Sequence, residues 1–251
     1  MQKKILRMLL PLLVYEIVGE LVFVLWQFGH GQAREAQALP LTALASVLSS
    51  VLLGREYRHL REGTGPGGKE KAFSRGHFYF WANCLAAGIG ACLFFNGVLR
   101  LLPIPGEGYR QSGRILYGPP LMVQLACMGI LIPLGEELVF RGLLYGRLRQ
   151  ELPFWKAAAV SALCFGLFHG NLIQGVYAGL LGMFLAAVFE HGQSLWGCWL
   201  FHSAANIAAI FLTHILGEEG GQAGCRMAMA VAGGGLLMAA YNTIRRDGKR
   251  T

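Results

Sequence analysis

The feature that most constrains this chain is its run of apolar stretches, several near 20 residues long. They fall at about 5–28, 39–54, 78–102, 119–149, 157–172, 174–190, 194–216 and 223–244. The hydrocarbon core of a bilayer is about 30 Å thick, and a helix needs roughly 20 apolar residues to cross it. A chain with so many such stretches spans membranes, and in lipid only helices or closed barrels satisfy their own backbone. These stretches are too long for barrel strands. The expected fold is therefore all-α, a polytopic integral membrane helical bundle with about eight transmembrane helices. Only 14% of the 251 residues are charged, against about 25% in ordinary soluble domains. One membrane domain follows, without a separate soluble domain.

The basic residues set an expected orientation. With the N-terminus inside, 16 of the 22 Lys and Arg lie on one side, in the N-terminus, 55–77, 147–156 and 245–250. The opposite loops hold Arg34, Arg100, Arg110, Arg114 and Arg226. This asymmetry is the pattern of the positive-inside rule. It predicts a multi-pass protein of the cell membrane with both termini cytoplasmic. The net charge of +8 is spread between spans rather than along a stripe with aromatics, which argues against nucleic acid as a partner. Segment 55–77 reads as a basic cytoplasmic linker with Gly-Pro-Gly-Gly at its middle. The six cysteines are scattered in or beside apolar segments and read as small hydrophobes. The expected organisation is 1–118 for three helices and the basic loop, 119–216 for the functional core, and 217–251 for the last helix and tail.

Ionisable groups inside hydrocarbon cost about 2.5–3.5 kcal/mol each on insertion scales, so each needs a partner or a task. The fourth stretch holds GEELVFRG, with Glu136, Glu137 and Arg141. Glu137 and Arg141 are four apart and can pair on one helix face. Glu136 points about 100° away and has no partner on its own helix. The fifth stretch places Phe165 and His169 four apart, and the seventh does the same for His202 and Asn206. Glu136 is 13 residues before Arg149, His169 is 13 after Lys156, and Asn206 is 13 after Gln193. At 1.5 Å per residue all three lie about 20 Å from the same membrane face, so they can meet. Glu16 and Glu20 in the first stretch are also intramembrane carboxylates, with no preferred role. Asn171 either assists the site or ends its helix.

A carboxylate beside a histidine can take a proton from a water that attacks a carbonyl. A second histidine with an asparagine amide can stabilise the resulting oxyanion. Two histidines and a glutamate can equally hold zinc, but the His-Glu-x-x-His signature of zinc proteases is missing. A proton-coupled transporter could use the same residues as a relay, although no internal repeat is evident. A non-catalytic membrane scaffold, such as a bacteriocin-immunity protein, is the third reading.

The ordered set Glu-Glu-x-x-x-Arg, Phe-x-x-x-His and His-x-x-x-Asn resembles the CPBP family of CAAX prenyl proteases and bacteriocin-processing enzymes. The resemblance covers about 119–210. It implies an eight-helix intramembrane endopeptidase acting on a membrane-associated peptide or protein. By analogy, Glu136 and His169 activate water, His202 and Asn206 form the oxyanion site, and Glu137, Arg141 and Phe165 shape the site or touch substrate. The family carries both a metal-dependent and a glutamate-type reading. The expectation adopted is a glutamate-type enzyme with no cofactor, a divalent metal such as zinc being the alternative.

Overall fold

The computed structural model describes residues 2–32, 35–62, 75–101, 107–217 and 222–249. The chain is all-helical there, and no strand occurs among the described residues. The helices are α1 (Gln2–His30), α2 (Glu35–Glu62), α3 (Arg75–Leu99), α4 (Glu107–Tyr117), α5 (Leu121–Glu151), α6 (Phe154–Leu167), α7 (Leu172–Gly192), α8 (Leu195–Leu216) and α9 (Ala223–Lys249). Seven of them, all but α4 and α6, are long and apolar enough to cross a membrane. The Gly-Pro-Gly-Gly centre of the basic linker and Arg34 lie outside the described residues.

The fifth expected span is present as a helix shorter than the seven. Its helix, α6, has 14 residues and is about 21 Å long at 1.5 Å per residue. The expected helix to 172 is cut short by Gly170 at φ +71°, a left-handed conformation that glycine adopts without penalty. Asn171 then caps α7, its side chain accepting from the Gln174 backbone N–H at 2.9 Å. Helices α6 and α7 form a tight antiparallel hairpin. A Cβ on Gly166 would lie 2.5 Å from the Gly175 carbonyl, so the pair depends on small residues, the usual way for helices to approach closely in lipid. Across the bundle α3 packs on α9 in the same manner, with Gly90 against the backbone of Leu237.

Contacts at one end of the bundle gather the segments that the basic pattern places on a common side. Arg147 bonds Glu56 and the Arg7 carbonyl, Arg61 donates to the Gln193 carbonyl at 3.0 Å, and Arg149 pairs with Glu190 at 2.9 Å. At the other end Arg100 donates to the Gly217 carbonyl and Arg226 to the Arg100 carbonyl. The amphipathic α4 lies in a stretch read from sequence as a loop. Its Leu116 and Tyr117 pack on Leu39, Met128 and Ile210, and Arg114 faces Glu35 at 3.7 Å.

The long α5 is not a uniform helix. Leu125–Leu131 and Leu138–Tyr145 are widened to π geometry, flanking an ordinary helical stretch, Ile132–Glu137. In the first widened stretch the Ile132 N–H bonds the Cys127 carbonyl, five residues back. The next residue, Pro133, has no N–H with which to continue that pattern to the Met128 carbonyl. Such π segments often mark functional sites.

Candidate active site

Several backbone carbonyls of α5 accept from side chains on neighbouring helices. Asn206 Nδ2 donates to Met128 O at 2.9 Å and Trp199 Nε1 to Ile130 O at 3.0 Å. Ser46 Oγ lies 3.3 Å from Leu131 O and 3.0 Å from Ile132 O, and Ser161 Oγ donates to Phe140 O at 3.0 Å. Trp199, His202 and Asn206 share one face of α8 by their helical spacing. That face is thereby locked to the part of α5 that carries the two glutamates.

Glu137 and Arg141 are both fully buried and pair at 3.1 Å, as their spacing predicts. The same Glu137 oxygen, Oε1, lies 2.7 Å from His202 Nδ1. Its second oxygen, Oε2, has no hydrogen-bond partner among the described residues, nor have Arg141 Nε and Nη2. The guanidinium instead lies 4.2 Å over the Phe165 ring, a cation–π contact that suits a desolvated arginine. Phe165 is the hub of the cluster. Its ring meets His169 at 4.8 Å and His202 at 5.7 Å between centroids, both edge-on.

Glu136 lacks a partner on α5 but finds one across the bundle. Its Oε2 is 3.7 Å from His202 Nε2, and its side chain keeps 16% exposure where Glu137 keeps none. That separation is beyond a direct hydrogen bond. His202 thus stands between the two carboxylates, with one ring nitrogen toward each. His169 is in the turn after α6, and its Nδ1 is 2.8 Å from the Phe165 carbonyl. A carbonyl only accepts, so Nδ1 carries the proton and the neutral ring offers its lone pair at Nε2.

Glu136, Glu137, Arg141, Phe165, His169 and His202 therefore form one cluster, contributed by α5, the end of α6 and α8, and Asn206 lies one turn beyond His202 on α8. The Asn206 amide has one proton committed to Met128 O and a second available. Asn171 holds the α6–α7 turn, donating to Ser112 Oγ of α4 at 3.0 Å and to Gln174 Oε1 at 2.7 Å. Glu16 and Glu20 stay apart, exposed on α1. Two residues had no sequence signal, since Tyr and Ser are common in apolar helices. Tyr15 of α1 packs against the main core cluster, and Ser46 is fully buried. A groove of about 690 Å³ runs along the α6–α7 hairpin, lined by Ala162, Gly166, Gly175 and Gly179 and reaching Gly170 and Asn171 beside His169. Among the described residues no group of three His, Cys, Asp or Glu is arranged to hold a metal ion.

Comparison with known proteins agrees with this picture. Residues 118–208 match the family described as Type II CAAX prenyl endopeptidase Rce1-like, a span that contains α5 to the middle of α8. The chain is also similar to a Bacillus subtilis (strain 168) protein named "Putative membrane peptidase YdiL". The two are 23% identical over 202 residues, covering 75% of this chain and 80% of the relative. No solved structure matches the chain.

Proposed function

We propose that the chain is an intramembrane endopeptidase that hydrolyses a peptide bond of a membrane-associated peptide or protein. The observation that carries the reading is His202 standing between Glu136 and the buried Glu137–Arg141 pair, with Phe165 joining His169 to the same cluster. Intramembrane charge is expensive, and a purely structural ion pair needs only Glu137 and Arg141.

In this reading Glu136, the more exposed carboxylate, accepts a proton from a water oriented by the lone pair on His169 Nε2. The water oxygen attacks the substrate carbonyl carbon, and the carbonyl oxygen takes up the negative charge. The second Asn206 N–H, with His202 donating from Nε2–H as the doubly protonated ring, stabilises that oxyanion. Glu136 then gives its proton to the amide nitrogen as the C–N bond breaks, leaving an acid and an amine. Glu137 fixes the His202 ring through Nδ1, and Met128 O fixes the Asn206 amide. Such preorganisation is where most electrostatic catalysis resides. The apolar groove along α6 and α7 supports entry of a lipid-embedded substrate segment toward the His169 turn. The chemistry is assigned to these side chains without a cofactor, and both termini are assigned to the cytoplasm.

The reading is tested by comparing the membrane peptidomes of cells carrying wild-type protein and Glu136→Ala. A cleavage product present with wild type and absent with the variant supports it. Identical peptide profiles with equal amounts of folded protein would remove it.

A further inference from the structure

The two glutamates sit in a six-residue ordinary helical stretch between two π segments. Something must hold that short stretch in register, because a slip of one residue turns a side chain by about 100° on a 3.6-residue helix. Its N-terminal carbonyls, Leu131 O and Ile132 O, are met by one hydroxyl, Ser46 Oγ, from α2. Ser46 has no exposed surface. Gly135, immediately before Glu136, is its seat. A Cβ there would lie 2.2 Å from Ser46 Oγ and 2.7 Å from Ser46 O. Those distances leave no room for any other residue while α2 stays in place.

We infer that Ser46 is a positioning residue, which holds the Ile132–Glu137 turn so that Glu136 faces the open site while Glu137 faces Arg141 and His202. It touches neither carboxylate. It acts through the backbone that carries them, and the absence of a side chain at Gly135 is part of the same device. The kinetic part of its test rests on the proposed hydrolase reading; the labelling part does not.

The labelling arm uses the full chain in membranes, treated with dicyclohexylcarbodiimide, an apolar reagent for protonated carboxyls, and read by mass spectrometry. Wild type is expected to be modified at Glu136 and not at Glu137. Ser46→Ala is expected to lose this selectivity, with modification appearing at Glu137. In the kinetic arm, Ser46→Ala should lower kcat by about tenfold with KM little changed, since misplacing a reacting group is costly. Ser46→Cys, which keeps a weak donor of similar size, should recover part of both. Thr42→Ala, one turn earlier on α2 with its hydroxyl bonded to Ala38 O, should match wild type throughout. If Ser46→Ala does not accumulate, Ser46→Cys carries the same labelling comparison. A labelling pattern identical to wild type in the Ser46 variants overturns the inference. Wild type without Glu136-dependent hydrolysis would instead overturn the hydrolase reading, while the labelling arm still decides the role of Ser46.

Discussion

Two helices of this protein carry a pair of glutamates within an apolar span, and the surroundings of the pairs differ completely. In α5, Glu137 is fully buried against Arg141 and His202, and Glu136 faces His202. In α1, Glu16 and Glu20 are exposed, with neither an ion pair nor a hydrogen bond among the described residues. Hydropathy flags both pairs equally, because the insertion penalty depends on the residue and its depth. What separates them is what the neighbouring helices supply. The α5 pair is met by His202 of α8, in a helix whose apolar stretch is 61% buried, whereas the apolar stretch of the first span is 17% buried.

If the comparison is sound, substitutions at the two sites diverge sharply. His169→Ala should lower turnover by roughly 10²–10⁴-fold, the range of a lost acid–base group. Asn206→Ala should lower it by about 10²–10³-fold, as for a lost oxyanion donor, and also leave Met128 O unpaired. Glu16→Gln and Glu20→Gln should stay within about twofold, as exposed substitutions usually do. Turnover at equal folded amounts measures all four, and a severe Glu16 or Glu20 defect would break the comparison.

Stability separates the pairs in a second way. Glu137→Gln removes one partner from a buried ion pair, which typically costs about 3–5 kcal/mol. Its melting temperature in detergent should fall well below wild type, while Glu16→Gln should melt with wild type. An unchanged Tm for Glu137→Gln would mean that the Arg141 charge is held by other means. Smaller effects complete the ranking. Chelation should leave hydrolysis largely intact, and elemental analysis of purified protein should find no stoichiometric zinc; activity lost on stripping and restored by the metal would reverse this assignment. Cysteine labelling should place 55–77 and the C-terminus in the cytoplasm, and labelling of either from outside intact cells would invert the orientation.

The meeting of Glu136, Glu137, Arg141, His169 and His202 was legible in the sequence because each is ionisable in hydrocarbon, and because the distances of Glu136 and His169 along the chain put them at one depth. The architecture around them was less so. Hydropathy does not distinguish an ordinary helical turn from a widened one, so the π stretches of α5 gave no signal. Nor does it show the donors that reach the α5 carbonyls, since Ser46, Trp199 and Asn206 lie on other helices. The fifth span was read too long because Phe168 and Leu172 extend the apolar run across a turn that Gly170 and Asn171 make. Glu136 looked unpartnered for the same reason, its neighbour His202 being 66 residues away in the chain.

The central claim is that Glu136 activates water, and Glu136→Gln tests it most directly, since it keeps the shape and removes the base. The measurement is cleavage of the identified peptide substrate by purified protein in bilayers, with the variant matched to wild type in folded amount. The account predicts a loss of roughly 10²–10⁴-fold in a protein that melts close to wild type. Near-normal cleavage by well-folded Glu136→Gln would contradict it.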